Sequence, residues 1–136
     1  MKYQKIFKRY EFKYMITQEQ KQNLINYISD YMEPDKFGKS KICNIYFDTP
    51  NSILIRRSLD KPMYKEKLRL RSYGKVDETQ DVFLEIKKKY DGVVYKRRIV
   101  LPEKEAMYYV CDGIEPIKPN QISREIDYFL SLVKIV

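Results

Sequence analysis

In KLRLRSYG, residues 67–74, a cation stands at every second position: Lys67, Arg69 and Arg71. FLEIKKK, residues 83–89, places Glu85, Lys87 and Lys89 in the same rhythm behind Phe83, and VVYKRRIVL, residues 93–101, adds Lys96 and Arg98. Extended backbone sends successive side chains to opposite faces, so these groups share one face while Leu68, Leu70, Leu84 and Ile86 share the other. RYEFKYMI, residues 9–16, supplies Arg9, Glu11 and Lys13 in the same alternation. Such a face suits an anion carrying several charges. Guanidinium forks match phosphate oxygens and lysines add point charges. The two glutamates, Glu11 and Glu85, can hold cations in position or carry a divalent metal.

Two readings of this pattern stand side by side. The residues can coat the solvated face of an ordinary antiparallel sheet, with the glutamates offsetting part of the repulsion. Alternatively the sheet curves, its polar face is concave, and the clustered cations focus their field on a phosphate chain. The balance of 27 Lys and Arg against 19 Asp and Glu, net +8, favours an anionic partner and leaves nucleic acid, phosphorylated metabolites and anionic membrane open. The chain has no histidine. That excludes His-based general bases, Ser-His and Cys-His nucleophile pairs and the commonest metal ligand. Cys43 and Cys111 form neither a metal knuckle nor a disulfide framework, which points to a reducing cytoplasm. No run of about 18 apolar residues suggests a membrane span.

The elements that must position this face can be read along the chain. Its 136 residues, 43% of them hydrophobic, fit one domain, 1–136. Residues 8–16 alternate as a strand. Thr17 with Gln20 forms a capping box for a helix running to about Met32. Residues 41–49 return to strand, with Tyr46 and Asp48 facing opposite to Ile45 and Phe47. Asp48 is placed to orient a cation of the polar face, or simply to end the strand in an Asp-Thr-Pro turn. Asp91-Gly92 predicts a hairpin between strands 82–90 and 93–101. Helices follow, one after Pro102 closing at Gly113, another with Ser123 as N-cap. The thirteen tyrosines read as packing residues of core strands. The fold class is α+β: an antiparallel sheet of about five or six strands, part of a tunnel or barrel, with flanking helices.

RYEFKYMI, IYFDT, KLRLRSYG, FLEIKKK and VVYKRRIVL, in this order, resemble the VTC domain, the polyphosphate polymerase branch of the triphosphate tunnel metalloenzymes. The resemblance implies an antiparallel tunnel whose lumen takes ATP and inorganic polyphosphate, ahead of nucleic acid. It also implies transfer of the γ-phosphate of ATP to a growing chain, with Mn2+ or Mg2+. By motif position, Lys13, Arg69, Arg71, Lys87 and Lys96 correspond to the basic residues that act on the phosphates. Arg9, Lys67 and Arg98 are further phosphate-binding cations, with Glu11, Glu85 and Asp48 as acidic partners. The family pattern continues with strands that this sequence does not contain, including one with a metal-binding glutamate. The expectation is therefore a shared tunnel completed by a second copy, or by the missing strands, and little turnover by this chain alone. A non-catalytic module that binds polyphosphate, inositol phosphate or RNA is the alternative.

Overall fold

The computed structural model describes residues 6–9, 12–36 and 38–135. The chain forms two compact units, one of residues 1–10 with 41–136, the other of residues 11–40. In the larger unit the strands are β1 (Ile6–Arg9), β2 (Ile42–Phe47), β3 (Tyr64–Tyr73), β4 (Asp81–Tyr90) and β5 (Val93–Pro102). They form one antiparallel sheet in the order β1-β5-β4-β3-β2, open at both edges among the described residues. Strands β2 to β5 are a meander. The hairpin predicted at Asp91-Gly92 is present, with Tyr90 opposite Val93 and both turn residues at positive φ, 43° and 79°. That pair of left-handed residues gives the turn a twist matching its strands.

Helix α1 (Gln18–Ile28) belongs to the smaller unit. Its capping box is as read: Thr17 Oγ1 accepts from the Gln20 amide at 3.2 Å, and the Gln20 side chain accepts from the Thr17 amide at 2.8 Å. The helix stops short of Met32. The Ser29 hydroxyl donates to the Asn26 carbonyl, and the Tyr31 amide reaches Ile28 in a tightened last turn. Pro34 disfavours a helical Glu33 in any case.

The first strand also ends early. Residues 12–17 have no regular structure, whereas the sequence predicts strand to residue 16. Arg9 pairs with Val94, and β5 begins at Val93 after its hairpin turn, so β5 has a single residue beyond the last pair and cannot support a strand to residue 16. Helix α2 (Ile53–Leu59) has no counterpart in the sequence reading. Helix α3 (Glu103–Asp112) ends at Gly113 with φ 69°, a left-handed cap that glycine adopts without strain. In α4 (Gln121–Leu132) the N-cap is Asn120, not Ser123. The Asn120 side chain accepts from the amides of Ile122 and Ser123, and Ser123 Oγ accepts from the Asn120 amide.

The core lies on one side of the sheet. Leu68 and Leu70 of β3, Val82, Leu84 and Ile86 of β4, and Ile99 and Leu101 of β5 face Ala106, Tyr109 and Val110 of α3 and Ile122, Ile126 and Phe129 of α4. Each fully buried aliphatic or aromatic side chain contributes roughly 1.5–3 kcal/mol. Among the described tyrosines only Tyr109 is buried, so packing is not the role of the others. The Tyr109 hydroxyl lies 2.8 Å from the Ser123 carbonyl and 2.5 Å from Asp127, which ties α3 to α4. No helix among the described residues is long and apolar enough to cross a membrane.

Candidate polyanion-binding site

Antiparallel register turns the alternation along each strand into rows across the sheet. One row reads Lys67, Lys87, Lys96, with Phe7 of β1 opposite Lys96. The next reads Tyr46, Arg69, Glu85, Arg98, and a third Asn44, Arg71, Phe83, Val100. Lys65 and Lys89 pair in a further row. On β2 to β5, every one of these residues lies on the face away from α3 and α4. In its interior the single carboxylate among the described residues is Glu85, with Asp81 at the exposed start of β4.

Glu85 is inaccessible to solvent. Its Oε2 accepts from Arg69 Nε at 3.0 Å and from Arg69 Nη2. Its Oε1 faces Lys96 Nζ at 3.5 Å and Arg98 Nη1 at 3.8 Å, and makes no hydrogen bond among the described residues. Burial pushes the carboxyl pKa up, but the Arg69 guanidinium, aided by Lys96 and Arg71, holds it below the usual range. Burial likewise opposes the charge of Arg69, and Glu85 with the Tyr46 hydroxyl outweighs it, so this guanidinium is held charged more firmly than usual. For Lys96, burial and repulsion from Arg98 and Arg71 outweigh the pull of Glu85 and leave its pKa lowered.

The cations differ in how far they are already engaged. Arg69 spends Nε and Nη2 on Glu85 and Nη1 on the Tyr46 hydroxyl, 3.0 Å away. It is a fixed member of the frame. Arg71 donates Nε to Asn44 Oδ1 at 3.0 Å, and its terminal nitrogens carry no hydrogen bond among the described residues. The Lys67 ammonium lies 5.9 Å from the centre of the Tyr46 ring. Arg98 lies over the Phe83 ring at 4.6 Å, an apolar support for its guanidinium. Asn44, Tyr46 and Phe83 thus set the arginines. The sequence places Phe83 on this face with no role and counts Tyr46 among the packing tyrosines, whereas the structure sets its ring and hydroxyl against Arg69. The signal was their position opposite arginines in a register that only pairing defines.

Asp48 does not reach a cation of this face. Its Oδ1 accepts from the amides of Thr49 and Leu54 and its Oδ2 from Ile55, so it caps α2 from a distance. Burial disfavours its charge, yet these backbone donors hold its pKa below normal. The residue next to the helix, Ser52, is left-handed with φ 54° and gives no side-chain cap, which is why Asp48 is needed. At the other end Lys65 Nζ lies 3.3 Å from the Ser58 carbonyl. Of the remaining expected residues, Arg9 pairs with Val94 through its backbone, Glu11 lies outside the described residues, and Lys13 lies in the smaller unit. Lys88 points to the opposite face and pairs with Glu66 at 3.2 Å.

A set of donors for a metal ion needs more than this face offers. No group of three or more acidic or thiol side chains clusters among the described residues. Glu85, the one carboxylate in the interior of this face among the described residues, is enclosed by Arg69, Lys96 and Arg98, which would repel a cation. The arrangement concentrates positive charge on one face.

The family model for the VTC domain matches residues 8–131, and a search of curated proteins gave no match. The chain belongs to the VTC domain family. The family-level role of a VTC domain concerns polyphosphate, and this one carries rows of lysine and arginine on one face of its sheet.

Proposed function

We propose that this VTC domain binds the phosphates of polyphosphate and of a nucleoside triphosphate on its cationic face, and that ATP-dependent elongation of polyphosphate is the activity it serves. The supporting observation is that Lys67, Arg71, Lys87, Lys96 and Arg98 share one face of adjacent strands, where the buried Glu85 is held among Arg69, Lys96 and Arg98. In the reaction, a terminal oxygen of the acceptor chain attacks the γ-phosphorus of ATP. The new P–O bond forms as the bond to the bridging oxygen of ADP breaks, and no redox step is involved. Protein groups contribute by position and charge: lysines and Arg71 hold the phosphates in line, and their field offsets charge on the transferred group. Manganese or magnesium, implied by the family likeness, would arrive with the nucleotide phosphates rather than on a carboxylate cage. Two free thiols and the use of ATP suit a cytoplasmic setting. The open edges of the sheet suit pairing with strands of a second copy.

The test has two arms. Titration of labelled polyphosphate at two salt concentrations is expected to give an affinity that falls steeply with salt, because bound phosphates release counterions. Arg71→Ala should weaken binding about tenfold and Lys88→Ala less than twofold. Equal losses would reduce the interaction to general charge. Incubation with ATP and Mn2+, followed by a gel for acid-stable chains, then separates synthesis from binding alone. The engagement of Glu85 by three cations, which leaves no free carboxylate on the described face interior, favours the second reading of a non-catalytic polyanion module. Binding without chain growth would establish it.

A further inference from the structure

Between the end of β2 and helix α2 lies a groove of about 350 Å3, lined by Tyr46, Phe47, Asp48, Leu54, Ile55 and Lys67. This is at the small end of ligand sites, with a mainly apolar lining. Of its lining residues, Ile55 and Tyr46 are 47% and 57% exposed. Lys67 belongs both to this groove and to the row Lys67, Lys87, Lys96. Those three lysines sit on adjacent strands, so the row extends roughly 10 Å from the groove at two strand spacings. An apolar recess thus opens directly onto a line of positive charge.

We propose that the groove holds the nucleoside of a nucleoside triphosphate whose phosphates run along that lysine row. The inference rests on reading the face as a phosphate site and assigns the part of the ligand that the phosphate contacts leave undetermined. A base needs flat apolar contact, which Leu54, Ile55 and the Tyr46 ring provide, since stacking on an aromatic tolerates any base. Hydrogen-bond readout of the base is a different matter. Both Asp48 oxygens are occupied by the amides of Thr49, Leu54 and Ile55, and the Tyr46 hydroxyl already accepts from Arg69. The groove's carboxylate is spent on the fold, which leaves Lys67 and the Tyr46 O–H as its donors. Adenine and guanine should therefore bind alike, because both present N7 and N3 acceptors to those donors and the carboxylate is not available to read the groups in which they differ.

The experiment compares ATP, GTP and inorganic tripolyphosphate by equilibrium titration at equal ionic strength, on the full chain and on Ile55→Ala. Alanine keeps the helix and the backbone amide that Asp48 holds. ATP and GTP are expected to bind within about threefold of each other and both tighter than tripolyphosphate. Ile55→Ala should cost the nucleotides about threefold to tenfold and leave tripolyphosphate unchanged. Photolabelling with 8-azido-ATP should mark the segment 46–55. If ATP binds no better than tripolyphosphate and Ile55→Ala changes nothing, the groove is not a nucleoside site, while the phosphate reading stands. A large preference for one purine would overturn the apolar account of the groove. If none of the three ligands binds, both readings fall.

Discussion

Glu85 shows how one residue can set the charge state of a whole face. A lone carboxylate without solvent access would ordinarily resist ionisation, yet Arg69 sits on one oxygen and Lys96 and Arg98 face the other. Removing its charge leaves partly buried cations without a counter-ion, a change that typically costs about 3–5 kcal/mol. Glu85→Gln is expected to lower the midpoint of thermal unfolding accordingly. Tripolyphosphate should raise that midpoint more in the variant than in the parent, because it supplies the missing negative charge. A variant that tripolyphosphate does not stabilise would show that phosphate does not reach this cluster. The pH dependence follows in sign. The folded pKa of Glu85 is depressed, so its contribution is complete above the unfolded value of about 4.3 and is lost as pH falls through the lower folded value. Acid titration followed by circular dichroism should therefore show a steeper loss for the parent than for Glu85→Gln.

At the scale of elements, the site depends on helices that never touch it. α3 and α4 cover the apolar face, and that burial keeps β3, β4 and β5 in the register which lines up the lysines. Phe129 and Ile126 are buried at the centre of this layer. Phe129→Ala is expected to cost about 3–5 kcal/mol, measured by denaturant unfolding, with an unchanged denaturant slope if the fold persists. The hairpin is a second control point, since Gly92 has φ 79° and a β-branched residue there is strained. Helix α2 is held differently, by Asp48 at its start and Lys65 near its end. Of these elements, the hairpin and α3 could be read from the sequence because Asp91-Gly92 and Gly113 act locally. α2 could not be read, as its cap comes from a residue five positions before its start.

For the larger unit as a whole, the sheet leaves β1 and β2 with one neighbour each among the described residues. On β2, Ile42 and Ile45 are about half exposed, an edge of the kind that recruits another strand. Sedimentation velocity over a range of concentrations should show self-association, and Ile45→Lys should suppress it, because a charge on an edge strand opposes pairing. A monomer at all concentrations would remove β2 as a pairing edge.

What the sequence by itself determined was the alternation. Lys67, Arg69, Arg71, Glu85, Lys87, Lys96 and Arg98 fall on one face because a strand has a period of two, and no tertiary contact is needed to know it. The family likeness was legible for the same reason, since its motifs are runs of such strands. Only the tertiary structure decided which residue stands opposite which. Pairing across strands couples positions far apart in the chain, so it alone put Glu85 between Arg69 and Arg98 and Asn44 beside Arg71. It also separated two acidic residues that looked equivalent in the sequence. Asp48 is consumed by the backbone of α2 while Glu85 is consumed by cations, because the first lies where a helix start needs acceptors and the second where three positive charges converge.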